Sequence, residues 1–217
     1  MSQAEQTEIE VLRNKINDHC IFRVPHKSKE LPAMNGGGFY TWQFYLRTAL
    51  LDARSLATIS RDFWNRYETV YANQPFQIAG VESAAVPIIT ALVCSGAERG
   101  ITLNAFTIRK DRKEYGRRNL IEGAPNDLPV LFVDDLTSPQ HNAFWHGVYA
   151  IGMHGLVLAE DAYVLVRKQE RAVSAFIETS IGTVQVQSLF TLDDFELEQA
   201  DYAAARRAAT IAPALAA

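Results

Sequence analysis

Two adjacent carboxylates, Asp134 and Asp135, follow the apolar run Val130-Leu131-Phe132-Val133. Four consecutive apolar residues read as a strand buried on both faces, as in a parallel sheet covered by helices. At the carboxyl end of such a strand a pair of acids faces the crevice in which open α/β sheets bind ligands. Paired acids there suit sugar hydroxyls or the water shell of a magnesium ion. That chemistry belongs to sugar phosphates and nucleotides. An Asp pair can also simply open a loop and cap the next helix, so the dyad does not choose by itself.

Two other segments carry chemistry. Arg109-Lys-Asp-Arg-Lys-Glu-Tyr-Gly-Arg-Arg118 contains six basic residues in ten and directly follows a predicted strand, 102–108. The connection that contains it is long, where about 2–6 residues would suffice. A cationic, Gly-containing connection is suited to close over a polyphosphate, and its lysines to neutralise charge on a departing pyrophosphate. Ala79-Gly-Val-Glu-Ser-Ala-Ala-Val-Pro87 is a strand-to-helix turn. Its small residues admit a ligand close to the backbone, and amides at a helix start favour an anion. Gly80, Glu82 and Ser83 are its candidate contacts.

The elements that must hold these segments alternate along the chain. Apolar spacing predicts an N-terminal helix over 3–17, a short strand over 20–24 and a polar loop from Pro25 to Gly38. Phe39 to Leu46 alternates aromatic and polar residues, as a half-exposed strand does. Leu56, Ile59, Phe63, Tyr67 and Val70 mark a helix over 53–70 with Asp52 as its N-cap. Then come strand 76–79, helix 84–97, strand 102–108, a charged loop 109–127, strand 130–133, helix 140–153, strand 163–166 and strand 184–189. Thr191-Leu-Asp-Asp194 is a capping box for a last helix. Such alternation implies right-handed crossovers and a parallel sheet with helices on both faces. The expected organisation is an α/β chain with a small N-terminal hood, 1–38, one domain over 39–196, and a helix with an Ala-rich tail over 197–217.

Bulk properties narrow the function. The 217 residues carry a net charge of −4, with 48% hydrophobic and 21% charged residues, an ordinary globular composition. There is no global basic bias toward nucleic acid or an anionic membrane, and no apolar run of about 18 residues that would span a bilayer. Cys20 and Cys94 are the only cysteines and suggest neither a disulfide framework nor a metal cluster. With the polar N-terminus this leads us to expect a cytoplasmic protein. The five histidines lack ligand spacing and read as structural or solvated.

Taken together, the three segments resemble the type I phosphoribosyltransferases, and within them the orotate phosphoribosyltransferase family. The acidic strand is similar to that family's ribose-binding motif of four apolar residues, two acids and a phosphate loop. Arg109-Lys110-Asp111-Arg112-Lys113-Glu114-Tyr115-Gly116 resembles its Arg-Lys-x-x-Lys-x-His-Gly signature and runs on into Asn119-Leu-Ile-Glu-Gly123. Tyr40-Thr-Trp-Gln-Phe-Tyr-Leu-Arg47 and Val186-Gln-Ser-Leu-Phe-Thr-Leu-Asp-Asp194 are similar to flanking family segments, so the likeness covers about residues 38–195.

The resemblance implies Mg²⁺-dependent transfer of ribose 5-phosphate from phosphoribosyl pyrophosphate to a pyrimidine-type, orotate-like base, in a homodimer. Asp134 and Asp135 would hold the ribose hydroxyls, and Arg109, Lys110 and Lys113 the pyrophosphate, with Lys113 catalytic. Thr137, Ser138, His141 and Asn142 would hold the 5′-phosphate. Arg167 or Lys168, in a segment similar to the family's Asp-Arg-Gln-Glu base contact, would meet the base. No direct protein ligand for the metal is assigned. The chain departs from the pattern at Pro139, Gln140 and His141, where the family has Thr and Gly, and at Tyr115, Lys168 and Ala85. A proline lacks an amide donor, and glycines allow a positive φ that other residues resist. A second reading is therefore a nucleotide-binding or regulatory protein on the same fold. A third, an Asp-based phosphotransfer domain, fits the basic signature poorly.

Overall fold

The computed structural model describes residues 2–23, 31–32, 39–40, 42–110, 119–137, 142–179 and 182–197. The chain opens with α1 (Gln3–His19), capped reciprocally by Ser2 and Glu5, and β1 (Ile21–Arg23). Three short strands follow, β2 (Leu31–Pro32), β3 (Phe39–Tyr40) and β4 (Trp42–Phe44). β1 pairs with β4 and β2 with β3, both antiparallel. The single strand expected over 39–46 is thus two, and the chain turns at Leu46 into α2 (Arg47–Leu50). The remaining elements are α3 (Ala53–Asn73), β5 (Gln77–Val81), α4 (Ala85–Glu98), β6 (Ala105–Ile108), β7 (Ile121–Gly123), β8 (Val130–Thr137), α5 (Asn142–Met153), β9 (Leu158–Arg167), β10 (Phe176–Thr179) and β11 (Gly182–Thr191).

α3 starts where the sequence places it. Asp52 accepts hydrogen bonds from the Ser55 amide at 2.9 Å and the Ser55 hydroxyl at 2.8 Å. The capping box is also present, but the element that Thr191 and Asp194 cap is a single 3₁₀ turn, Leu192–Phe195. Of the helix and Ala-rich tail expected over 197–217, residues 198–217 lie outside the described residues.

The main sheet has seven strands in the order β10-β11-β9-β8-β5-β6-β7. The inner five are parallel, as the alternation predicts, and β10 and β7 are antiparallel edges. Both edges were unforeseen. β7 lies in the stretch read as a charged loop, and its three residues pair with β6 in the register Ile108↔Ile121. So short a segment has no periodicity of its own, and only the neighbouring edge makes it a strand.

Period-two alternation sends each central strand into two cores. Ile78, Leu131, Val133, Tyr163 and Leu165 pack with Phe63, Trp64, Ile88 and Leu92 of α3 and α4. Ala79, Val130, Phe132, Ala162 and Val164 pack with Phe144, Val148 and Ile151 of α5. Helices therefore cover both faces, which explains the continuous apolar run in β8. α5 sits close because residue 147 is glycine: a Cβ there would lie 2.2 Å from the Phe132 ring.

The chain leaves β5 through α4 toward β6 on one side, and leaves β8 through α5 toward β9 on the other. The strand order reverses between β5 and β8, and ligands bind at such a switch point, beyond the carboxyl ends of the strands.

Candidate active site at the strand switch point

β8 does not stop at the acids. It continues to Thr137, pairing with β9 at Asp134↔Val164, Leu136↔Val166 and Thr137↔Arg167, whereas its pairing with β5 ends at Ala79↔Phe132. The carboxylates thus stand on a strand that outruns one neighbour, with ordered backbone on the other side. Extension along β9 holds them more rigidly than the expected strand end would.

Asp134 is 4% exposed, and its Oδ1 accepts the Asp135 amide at 2.8 Å. Burial, and then the negative charge of Asp135, hold its carboxyl well above the ordinary carboxylate range, while the Lys110 ammonium pulls the other way. Asp135 is also raised, chiefly by burial, and is opposed by its contact with Asp134 and by the charge of Arg47. Two carboxyls that resist simultaneous ionisation are stabilised in the charged form when hydroxyl donors or a cation arrive.

The other two segments meet this pair at the same rim. In the turn after β5, the Glu82 amide donates to the Ile108 carbonyl at 2.8 Å, and the Glu82–Ser83 peptide is cis. Gly80, expected as a turn residue, lies inside β5. A Cβ there would fall 2.2 Å from the Val133 carbonyl oxygen and 2.4 Å from the Ala85 Cβ, so its role is to let β5, β8 and α4 close up. Arg109 follows β6, and its amide donates to the Leu120 carbonyl at 2.8 Å. Its guanidinium lies 3.5 Å from both Glu82 and Glu122. Arg109 therefore links the turn to the edge strand, while the charge of Lys110 is a minor lowering influence on the Asp134 carboxyl. Lys113, Ser138 and His141 lie outside the described residues, as does the side chain of Asn142, the first residue of α5.

Of the two candidate base contacts, the structure separates one from the other. The Arg167 side chain is buried, with Nη1 donating to the carbonyls of Val173 at 2.6 Å and Ser174 at 3.3 Å and Nη2 to that of Arg171. Its guanidinium secures the turn leading to β10, where these carbonyls already engage it. The Lys168 amide donates to the Thr137 carbonyl at 2.8 Å, placing this residue beside the end of β8. The Lys168 Nζ lies 4.9 Å from the centre of the Trp42 ring, and burial lowers its pKa to about 8. Trp42 and Arg47, which the geometry adds to the site, carry no chemical motif in the sequence. The signal available was position, since both fall in the aromatic stretch before α3.

Among the described residues no three His, Cys, Asp or Glu side chains converge to hold a metal ion. The donor set fits a hydrated divalent ion whose coordination comes mainly from ligand oxygens and water, with the acids accepting from that water. Among the described residues no helix is long and apolar enough to cross a membrane.

No family model matches the chain. It is 28% identical over 159 residues to the orotate phosphoribosyltransferase of Rhodopseudomonas palustris strain BisB5, covering 70% of this chain and 80% of that one. It is 33% identical over 94 residues to the uridine 5′-monophosphate synthase of Bos taurus, covering 43% of this chain and 18% of that longer protein. In structure it superposes on Mycobacterium tuberculosis H37Rv orotate phosphoribosyltransferase in complex with 5-phospho-α-D-ribosyl 1-diphosphate. That match has a TM-score of 0.57 and 20% identity, and covers 90% of this chain and 93% of that one.

Proposed function

We propose, from a chain that has the phosphoribosyltransferase fold and is similar in sequence to orotate phosphoribosyltransferases, that it transfers ribose 5-phosphate from phosphoribosyl pyrophosphate to a ring nitrogen of an orotate-like base. The bond between ribose C1 and the pyrophosphate oxygen breaks, and a bond from C1 to the base nitrogen forms. The observation that carries this reading is the pair of acids at the strand switch point, Asp134 buried and Asp135 half-buried beside it. Asp134 and Asp135 accept from the ribose hydroxyls, and their negative charge favours positive character on the ring as the leaving group departs. Lys110 and Lys113 offset charge on the pyrophosphate. Thr137, Ser138, His141 and Asn142 hold the 5′-phosphate, and Lys168 meets an anionic group on the base. Mg²⁺, when bound, would neutralise pyrophosphate charge from the ligand side. A homodimer and a cytoplasmic location belong to the same proposal.

Titration calorimetry with phosphoribosyl pyrophosphate and Mg²⁺, followed by a turnover assay with orotate, tests it. Saturable binding that is lost in Asp134→Asn, together with pyrophosphate release in the native protein, is the expected result. Absence of binding in the native protein would remove the proposal. Pro139, Gln140 and His141 favour a second reading, in which the fold binds a nucleotide without transferring ribose. Binding without turnover of any pyrimidine or purine base would favour it.

A further inference from the structure

His146 lies on α5, outside the individual motifs quoted for the family resemblance. Its Nε2 is 2.7 Å from the backbone oxygen of Arg109. A carbonyl oxygen only accepts, so this nitrogen carries the hydrogen and donates it. The Arg109 amide is held at the same time by the Leu120 carbonyl at 2.8 Å. The backbone of Arg109 is therefore gripped on both its polar groups, by Leu120 just before the edge strand and by the helix. The next residue, Lys110, is exposed at the same rim, and its charge is a minor lowering influence on the Asp134 carboxyl.

The helix does not need this bond to stay in place. Phe144, Val148 and Ile151 anchor it in the core, and Gly147 seats it against Phe132. At a half-buried position both the imidazole and the carbonyl would find water if parted, so the net gain in stability is small. What the bond does fix is direction.

We infer that His146 is a positioning residue, which holds the Arg109 carbonyl from α5 and thereby sets where Lys110 stands relative to Asp134. The inference rests on the phosphoribosyl-transfer reading, in which Lys110 acts on the pyrophosphate. It adds a link that the three segments alone lack. α5 begins at Asn142, the last residue expected to hold the 5′-phosphate, and its second turn reaches back to the root of the basic segment.

The test compares the full chain with His146→Ala and His146→Gln, glutamine offering an N–H donor at similar reach. Three measurements are made: thermal unfolding, amide hydrogen exchange at Arg109 and Lys110, and steady-state kinetics with phosphoribosyl pyrophosphate. In His146→Ala the unfolding temperature should hold. Exchange at Arg109 and Lys110 should speed up locally, and kcat should fall about five- to ten-fold, the loss of one hydrogen bond, with little change in KM. His146→Gln should recover most of both losses. Unchanged exchange, loosening spread evenly through the core, or local loosening with unchanged kcat in an active protein would each overturn the inference. Should the native protein transfer no ribose, the functional reading fails on that observation, and exchange in the two variants still decides whether His146 holds the root of the segment.

Discussion

Lys168 holds its ammonium 4.9 Å from the centre of the Trp42 ring, while its own backbone amide is tied to the last residue of β8. The cation is thus aimed from the end of β9 at an aromatic wall supplied by β4. Trp42 is 6% exposed and meets Phe44 edge to face with ring centroids 5.6 Å apart, so the wall is rigid. A desolvated ammonium beside an aromatic face can receive an anionic planar ligand.

The depressed pKa of Lys168 gives this contact a pH dependence. The ammonium is charged below about pH 8 and neutral above it. Since kcat/KM reports the free enzyme, its value for an anionic base should fall as the pH rises through that point. Lys168→Arg, which keeps its charge, should carry the plateau to higher pH. A native profile that stays flat well above that value would exclude Lys168 from the base contact.

Lys113 is expected to act mainly as charge builds on the leaving group. Lys113→Ala should lower kcat by about 10²–10³-fold, the usual cost of removing one such donor, and change KM far less. Steady-state kinetics with phosphoribosyl pyrophosphate as the varied substrate make the check. An unaltered kcat would leave Lys113 a solvated charge.

Replacing Pro139, Gln140 and His141 by Thr, Gly and Gly returns one amide donor and permits positive φ at two positions. Each recovered charge-assisted hydrogen bond contributes roughly 1.5–3 kcal/mol, or about ten-fold or more in affinity. Parallel titrations at fixed ionic strength should therefore show tighter binding in the restored chain. Equal affinities would mean that the native side chains hold the phosphate unaided.

Gly80→Ala should destabilise the fold without touching a ligand contact. The new methyl would meet the Val133 carbonyl and the Ala85 Cβ, an overpacking that costs on the order of 1–3 kcal/mol. Thermal unfolding should shift down by about 2–4 °C per kcal/mol for a chain of this size. Ala85→Gly in the same chain removes one of the two collisions and should restore part of the loss. A Gly80→Ala protein as stable as the native one would contradict the close packing of β5, β8 and α4.

Asp52 sets an acid limit on α3. Its contact with Lys15, with the Ser55 amide adding to it, lowers its pKa to about 2. A carboxylate with a depressed folded pKa stabilises above its unfolded pKa of about 3.9, and that contribution disappears as the pH falls toward 2. Asp52→Asn keeps a capping oxygen but loses the charge. Its stability should lie below that of the native chain at neutral pH and converge with it near pH 2. Curves that run parallel to that point would assign the acid sensitivity elsewhere.

Much of the site could be read in the chain because its signals are local. The apolar run before Asp134 needs only its own composition to be a two-sided buried strand, and Asp52, three residues before Ser55, carries its capping chemistry in the spacing. The basic residues that follow β6 identify themselves by charge and by their position after a strand. With strands and helices in alternation, right-handed crossovers then bring the turn at Glu82, the root at Arg109 and the acids to one rim.

Other decisions were made only by residues distant in sequence. β7 and β10 are strands because β6 and β11 offer them open edges, and neither has enough length to declare itself. Asp134 and Asp135 stay in extended backbone because β9 runs alongside as far as Arg167. Arg167 and Lys168 are adjacent cations with similar prospects on paper. Their fates divided where β9 ends at Arg167, whose side chain meets the carbonyls of the 171–174 turn while that of Lys168, already past the strand, lies by Trp42. Sequence periodicity specifies which residues form a strand; which neighbour each side chain meets is set by the packing of elements brought together from across the chain.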